Sequence, residues 1–183
     1  MEVLHKIIDS KNFQVGGGAA AALSGAMAAG MAAMVARLSV KKGYGLPGET
    51  YRQLTDELDA MARTLTEGAA RDEEAFVGLM KAMKMPLETQ EEVSRKEAAV
   101  EAGSIAASEV PLANGRLCRE VLLKVAVLEG RSNPRAATDL LIAKKLAAIG
   151  LEGCLLNVEA NLPAIHNEAV LKKFMDAVAS LRE

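Results

Sequence analysis

The fold is decided by the stretch VGGGAAAALSGAMAAGMAAMVA, which runs from Val15 to Ala36. It carries no charge and consists almost entirely of Gly, Ala and Met. Ala, Met and Leu favour helix strongly enough over this length to outweigh the glycines, so the stretch is predicted to form one helix. Small residues recur at every fourth position and also lie beside that row, which leaves more than one face without bulk. We therefore expect neighbouring helices to pack closely around it.

The same stretch is long and apolar enough to suggest a membrane span, and its small-residue spacing also occurs in membrane helices. Ala and Gly insert weakly, however, the flanks lack aromatic anchors, and the other predicted helices are amphipathic. A buried central helix of a protein without a membrane span is the favoured interpretation. Replacement of Gly30 by Leu is accordingly expected to overfill a close contact.

Composition points to a single helical domain over residues 1–183. Hydrophobic residues make up 50% of the chain, but aromatics only 3%, so the core must be built from aliphatic side chains that suit helices better than strands. The net charge of -2 gives no broad attraction to nucleic acid. Cys118 and Cys154 lack CxxC spacing and are expected as buried thiols, and no secretory signal begins the chain, so a cytoplasmic location is predicted.

Apolar periodicity and the positions of Pro and Gly predict an all-α, up-and-down bundle. Pro111 is expected to kink one helix or to start another. The chargeless small-residue surface is more than a monomer can easily hide from water, so a homodimer is expected. The predicted helices cover residues 2–9, 15–42, 49–85, 89–110, 112–129, 138–161 and 167–182.

One position in the apolar seam of the long third helix is acidic. Asp72 stands in heptad register with Leu65 and Leu79, so the pattern directs its carboxylate into the interface between helices. Glu73 and Glu74 point elsewhere and are expected in solvent. A seam carboxylate can specify how the helices of a bundle pair, it can be a partner for a buried Arg, or it can be a general acid/base whose pKa is raised by desolvation. Position alone does not separate these readings.

The glycine triplet and one polar helix face are the other candidate binding features. Gly16, Gly17 and Gly18 begin the central helix, where free backbone N–H groups can hold an anion, although tight packing is the simpler explanation. Asp139 and Asn157 are 18 residues apart, or five helical turns, and point the same way. Asn161 follows one turn later, where helix capping is the alternative.

Several cofactor classes lack their motifs. No cluster of His, Cys and carboxylates suggests a metal site, no GK[ST] follows the glycines, and no strand precedes them as a dinucleotide fingerprint requires. We therefore expect no metal and no nicotinamide.

Taken together, these elements resemble the cyclodeaminase/cyclohydrolase family of tetrahydrofolate enzymes. The resemblance spans nearly the whole chain and rests on short motifs in matching order. They are the glycine triplet with its Ala/Gly-rich helix, DEEAF from Asp72, MKMPLETQEEVSRKEAA with Arg95, VPL from Val110, the segment from Ser132 to Asp139, and NVEANL from Asn157. The chain departs from the family pattern at Ala19 and Thr138, where a serine is usual.

The resemblance implies a homodimeric helical bundle with a folate cleft and no cofactor beyond the tetrahydrofolate substrate. It implies that Asp72 is the acid/base, and it makes substrate-binding candidates of Gly16, Gly17, Gly18, Lys41, Arg95, Asp139, Asn157 and Asn161. Lys41, Lys42 and Arg95 are candidates for the folate's glutamate carboxylates, with solvated surface as the alternative. The favoured reaction converts 5-formimidoyltetrahydrofolate to 5,10-methenyltetrahydrofolate and ammonia. The alternatives are a cyclohydrolase that opens the methenyl compound to 10-formyltetrahydrofolate, and a non-catalytic folate-binding dimer.

Overall fold

The computed structural model describes residues 2–183, and this range contains six α-helices, two short 3-10 turns and no strand. The prediction of an all-α fold is confirmed. The helices are α1 (Glu2–Ile8), α2 (Gly17–Ser39), α3 (Gly48–Met83), α4 (Gln90–Leu128), α5 (Ala137–Asn161) and α6 (Glu168–Arg182), and the 3-10 turns are Pro134–Ala136 and Leu162–Ala164.

The four long helices, α2 to α5, form an up-and-down bundle. Gly18 at the start of α2 lies against Asp72 in the second half of α3, and Arg37 near the end of α2 pairs with Asp59 in the first half. These contacts make the two helices antiparallel. The α3–α4 and α4–α5 pairs are related in the same way, and the leucines and valines of the seams fill the core between them.

Helix α2 lies so close to α5 that their backbones touch. A Cβ atom added at Gly150 would stand 2.9 Å from the carbonyl oxygen of Ala21 and 3.0 Å from the backbone nitrogen of Gly25. By length and composition α2 could cross a membrane, but 61% of its most apolar part is buried inside the protein. The small residues therefore serve close helix packing, as the sequence predicted.

One side of α2 remains open. Gly30 is exposed, and a Cβ atom added there would have no neighbour within 4 Å. The expectation that Gly30→Leu overfills a contact is thus wrong within the chain, because Gly30 faces away from α3, α4 and α5. Met27, Met34 and Leu38 lie exposed on the same side, at 52%, 40% and 52% of their full surface.

Helix α4 passes through Pro111 without ending. It begins with the predicted capping box, in which Thr89 accepts from the backbone of Glu92 and the Glu92 side chain accepts from that of Thr89. It then continues for 39 residues. Pro111 therefore does not start a new helix. Its ring is buried in the core, where burial offsets part of the cost of a proline inside a helix.

Candidate functional site

A cavity of about 250 Å³ opens where α2 begins, between the second half of α3, the middle of α4 and the end of α5. It brings together six of the nine predicted site residues, Gly16, Gly17, Gly18, Asp72, Asn157 and Asn161. Phe13, Phe76, Ala107 and Ala160 complete its lining. The antiparallel bundle produces this cluster, because it places the start of α2 beside the later parts of α3 and α5.

The Asp72 carboxylate lies directly against the backbone of α2. A Cβ atom added at Gly18 would be 2.4 Å from Oδ1 and 2.5 Å from Oδ2 of Asp72, far inside van der Waals contact. Gly18 is thus required for this close approach. Gly17 touches Asn157, whereas a Cβ at Gly16 would meet nothing within 4 Å. Tight packing explains Gly17 and Gly18 but not Gly16, which begins α2 without a side-chain cap and leaves backbone N–H groups open to the cavity.

Burial raises the pKa of Asp72 from 3.8 to about 6, because the charged form loses water on entering the cleft. The backbone N–H of Ala19 opposes part of this rise in pKa, since it favours the negative charge. No Arg or Lys pairs with Asp72 within residues 2–183. The reading of Asp72 as the partner of a buried Arg therefore has no support in the described structure.

Glu73 differs from the expectation that it faces solvent. Its side chain is only 15% exposed and accepts a hydrogen bond of 2.9 Å from Lys6 Nζ on α1. The sequence pattern missed this pair because α1 and α3 are far apart in the chain. The pair attaches α1 to the helix that carries Asp72. Glu74 is exposed, as predicted.

The two asparagines line the cavity, and their amide nitrogens are engaged by backbone carbonyls. Asn157 Nδ2 donates to the carbonyl of Gly153 at 2.8 Å, and Asn161 Nδ2 donates to the carbonyls of Ala107 and Asn157 at 3.0 and 2.9 Å. Since a carbonyl can only accept, the amide nitrogens must be the atoms at these positions. The Oδ1 atoms then remain available, and they suit N–H donors of a ligand.

Pro111 explains why the Ala107 carbonyl is free to accept a hydrogen bond from Asn161. In a regular helix the N–H of residue 111 would donate to the carbonyl of Ala107, but proline has no N–H. The Ala107 carbonyl is instead bound by Asn161 Nδ2 across the interface between α4 and α5. The proline thus frees an acceptor that orients the Asn161 amide in the cavity.

We expect Pro111→Ala to disturb binding while leaving the fold intact. Alanine restores a backbone N–H that competes with Asn161 for the Ala107 carbonyl, so KM should rise about threefold to tenfold, the effect of weakening one hydrogen bond. Thermal stability should stay equal or increase, since proline is unfavourable inside a helix. Steady-state kinetics and melting curves test this, with Pro134→Ala at the far end of the bundle as the control. An unchanged KM would show that the freed carbonyl does not matter.

Comparison with known proteins identifies the family to which this arrangement belongs. The family model described as formiminotransferase-cyclodeaminase matches residues 1–180. The chain belongs to this family. A methenyltetrahydrofolate cyclohydrolase of Methylorubrum extorquens is 34% identical over 167 residues, or 91% of this chain and 80% of that protein. The formimidoyltransferase-cyclodeaminase of Sus scrofa is 29% identical over 95% of this chain, which spans only 32% of the mammalian protein.

The cyclodeaminase fold is also shared with a solved structure. The crystal structure of formiminotetrahydrofolate cyclodeaminase from Thermotoga maritima matches with a TM-score of 0.80 at 25% identity, covering 96% of this chain and 88% of that one. The resemblance inferred from the short motifs is therefore confirmed.

Three residues expected at the cyclodeaminase cleft lie away from it in this chain. Lys41 follows the far end of α2, whose 23 residues from Gly17 to Ser39 span about 33 Å. Asp139 lies at the opposite end of α5 from Asn157, about 27 Å away by the same rise per residue. The shared helix faces were recognised correctly, but a face runs the full length of the bundle and does not imply proximity.

Arg95 is the third of these residues. It is exposed near the start of α4, where it pairs with Glu91, and twelve residues separate it from Ala107 in the cavity wall. Arg95 and Glu91 are neighbours on an exposed helix surface, and such an ion pair contributes little to the stability of the fold. Within the chain, solvated surface therefore describes Arg95 better than a place in this cavity.

Four cavity residues were not predicted, and Phe13 and Phe76 are the two of them with large side chains. The chain has three phenylalanines in all, and these two flank the cleft with 85% and 38% of their surface exposed. The position of Phe76, one helical turn after Asp72, was a signal that sequence reasoning passed over. Phe13 lies in the irregular connection between α1 and α2, where periodicity gives no guidance.

Across residues 2–183, no three or more His, Cys, Asp or Glu side chains are grouped so that they could hold a metal ion. Cys118 and Cys154 are free and buried, as predicted.

Proposed function

We propose that the protein is a tetrahydrofolate one-carbon enzyme that cyclises 5-formimidoyltetrahydrofolate to 5,10-methenyltetrahydrofolate and releases ammonia. The observation that carries this proposal is a half-buried carboxylate, Asp72, whose pKa of about 6 fits an acid/base near neutral pH. Among residues 2–183 it has no cationic partner, and it lies in a cleft of a protein that belongs to the formiminotransferase-cyclodeaminase family.

The reaction needs one group that both takes and returns a proton. N10 attacks the formimidoyl carbon, N10 loses its proton, and the departing nitrogen gains one as the carbon–nitrogen bond breaks. Asp72 can accept the first proton and donate the second, because neither protonation state is strongly favoured near its pKa. Once ionised, the carboxylate also stabilises the positive charge of the methenyl product in a site with little water.

The remaining cavity residues suit the folate ring system. The free Oδ1 atoms of Asn157 and Asn161 accept hydrogen bonds, and a reduced pteridine carries several N–H donors. Phe13 and Phe76 offer apolar faces to a flat ring at the cavity mouth. We propose that the backbone N–H groups of Gly16, Gly17 and Gly18 donate hydrogen bonds to the folate substrate. No cofactor beyond the folate is needed, since no redox change occurs.

A cyclohydrolase reaction is the second candidate, favoured by the 34% identical relative from Methylorubrum extorquens. In that reaction water adds to the methenyl carbon and the ring opens to 10-formyltetrahydrofolate. The same carboxylate would remove a proton from the attacking water. The two reactions share an acid/base and the methenyl compound, which is the product of the first and the substrate of the second, and this is why one site supports both.

Absorbance of methenyltetrahydrofolate distinguishes the two reactions. With 5-formimidoyltetrahydrofolate as the substrate, a cyclodeaminase makes the absorbance rise, and ammonia appears in equal amount. With methenyltetrahydrofolate as the substrate, a cyclohydrolase makes it decay faster than in buffer. Either rate should persist in the presence of a chelator. A protein that binds folate yet changes neither absorbance would contradict the proposed activity and favour the non-catalytic dimer.

We also propose that the protein is a cytoplasmic homodimer that uses the open side of α2. Leu23, Met27, Met34 and Leu38 form an apolar stripe with Gly30 at its middle. A two-fold axis near Gly30 would place Met27 opposite Met34 of the partner subunit, and Leu23 opposite the partner's Leu38. Such self-complementarity is what a two-fold interface requires, and the missing side chain of Gly30 allows the two helices to come close.

Met27→Lys should convert this dimer to a monomer. Two copies of the new ammonium group would be buried near the axis, where an unpaired charge is strongly unfavourable. Light scattering after size exclusion would report half the native mass. Met175→Lys, at an equally exposed methionine of α6, should leave the mass unchanged. A native protein that is already monomeric would contradict the proposed dimer.

A further inference from the structure

The connection between α1 and α2 is a loop whose two ends are held close together. Ile7 before the loop and Val15 after it pack into one small apolar cluster with alanines of α2 and α3. The ion pair between Lys6 and Glu73, at 2.9 Å, fastens the same end of α1 to α3. Because both ends meet at one cluster, residues 9–14 project from it as a single surface loop, here called the lid.

The middle of the lid holds its own shape without hydrogen bonds to the rest of the bundle. Within residues 2–183, the hydrogen bonds of the lid join it only to itself and to α1. The backbone N–H of Lys11 donates to Asp9 Oδ1 at 3.0 Å, and that of Gln14 donates to Asn12 Oδ1 at 2.8 Å. Helix α1 itself buries none of its residues. A segment with so few buried contacts opens and closes at little cost in free energy.

Phe13 is the aromatic residue of the lid, and it stands at the mouth of the Asp72 cleft. It is 85% exposed, a greater fraction than for any other large apolar side chain in residues 2–183. It nevertheless lines the cleft together with Phe76. A cavity of about 640 Å³ lies between the lid and the last turns of α3, so the lid has room to move. Closure would take the exposed phenyl ring out of water, which is favourable.

The two candidate reactions differ in the access of water to the methenyl carbon. Water adds to this carbon through its oxygen, the bond from the carbon to N5 breaks, and the formyl group forms on N10. Both protons leave the oxygen: N5 takes one, and Asp72 passes the other to solvent. A cyclodeaminase must release the methenyl compound before this happens, although its own carboxylate can assist the hydrolysis. Exclusion of water from the cleft is therefore what separates the two outcomes.

We propose that the lid closes over the substrate at Asp72 and keeps water from the methenyl carbon. Phe13 is then the residue that favours release of methenyltetrahydrofolate over its hydrolysis. This inference rests on the proposed folate activity for its substrate. Phe13 and Phe76 flank the cleft, so a closed lid covers the opening with apolar rings. The movement explains why so exposed a phenyl ring lies on a loop that is attached at its ends alone.

The first test measures how the product divides in Phe13→Ala. With 5-formimidoyltetrahydrofolate as the substrate, the native protein should release mainly the methenyl compound, as chromatography corrected for decay in buffer would show. In the variant the share of 10-formyltetrahydrofolate should rise about threefold or more, because water reaches the cleft. The variant should also hydrolyse added methenyltetrahydrofolate faster than the native protein does. Ile8→Ala, at an exposed side chain that lines neither cavity, should change neither value.

Movement of the lid has a readout that does not depend on turnover. The chain contains no tryptophan, so Phe13→Trp places a single fluorescent reporter on the lid. The ligand is 5-formyltetrahydrofolate, at concentrations that calorimetry shows to be saturating. Quenching of the tryptophan by iodide should then fall about twofold or more, because the closed lid shields the ring. Ile8→Trp, just before the lid, corrects for light absorbed by the ligand and should keep its quenching.

Two results would overturn the role of the lid. One is unchanged quenching of Phe13→Trp at saturation, and the other is an equal division of product in Phe13→Ala and the native protein. Reduced quenching in a protein that converts neither folate would instead uphold closure of the lid and overturn the proposed activity.

Discussion

Asp72→Asn should lower turnover by about a hundredfold or more, the usual contribution of a general acid/base. The amide keeps the size of the side chain but cannot take a proton from N10 or return one to the leaving nitrogen. The fold should remain intact, because Asp72 has no cationic partner in the described structure whose charge would be left unpaired. Glu74→Gln, the same chemical change at an exposed site two residues away, should leave turnover unchanged.

The same substitution has a predicted effect on stability that depends on pH. The folded-state pKa of Asp72 is raised from 3.8 to about 6, so the folded protein prefers the protonated form. The native protein therefore loses stability as the pH rises from about 4 to 6, whereas an Asn variant does not. At pH 7 the variant should be more stable by roughly 1–2 kcal/mol, allowing for solvent at the cleft mouth.

Melting curves at pH 4 and pH 7 test the predicted direction of this stability difference. The difference between variant and native protein should be present at pH 7 and nearly absent at pH 4. A variant that is much less stable at pH 7 yet still turns over would mean that Asp72 is structural. Near-normal turnover in a folded variant would remove Asp72 from the mechanism.

Gly18→Ala should also lower turnover strongly, although it adds only one methyl group. The new Cβ would stand 2.4 Å from Asp72 Oδ1, so either the carboxylate or the helix must move. Helix α2 cannot move easily, because its backbone touches α5 and the adjoining Ala19 is fully buried. The carboxylate is therefore displaced from its position beside the substrate, and turnover should fall by about tenfold to a hundredfold.

Gly78→Ala is the matched control for this substitution. Gly78 lies in α3, as Asp72 does, and a Cβ atom added there meets nothing within 4 Å. Alanine at this exposed helical position should increase stability by about 0.5–1 kcal/mol without affecting turnover. Full activity of Gly18→Ala would show that the close contact with Asp72 is not needed for catalysis.

Local pattern was enough to predict the helices and the most informative residue. The apolar periodicity and the composition of the sequence reflect contacts within one or two helical turns. They predicted the all-α fold, the buried α2 and the capping box at Thr89. The heptad register of Asp72 with Leu65 and Leu79 predicted that its side chain points inward, because residues seven positions apart lie on the same face of a helix. Order of motifs then predicted the family, which the comparisons confirm.

Distances between residues that are far apart in the chain cannot be predicted from such local patterns. A periodic face runs the whole length of a helix, so it placed Asp139 with Asn157 although the two lie at opposite ends of α5. Periodicity also failed to predict that the face of Gly30 is open, and Lys41, a candidate that came from the family resemblance, lies beyond the far end of α2. Phe13 and Lys11 lie in an irregular connection without any period, and Lys6 meets Glu73 across 67 residues.

What the sequence by itself determined is therefore the helical segments apart from the continuation of α4 through Pro111, the inward direction of Asp72 and the family, because these depend on neighbours within a few residues or on motif order. Only the tertiary structure decided which ends of the helices meet. Antiparallel packing brings the start of α2 to Asp72 and Asn157, and it carries Phe13 and Lys11 to the same end of the bundle. Likewise, the Ala107 carbonyl that Pro111 leaves free can accept a hydrogen bond from Asn161 only because α5 packs against α4.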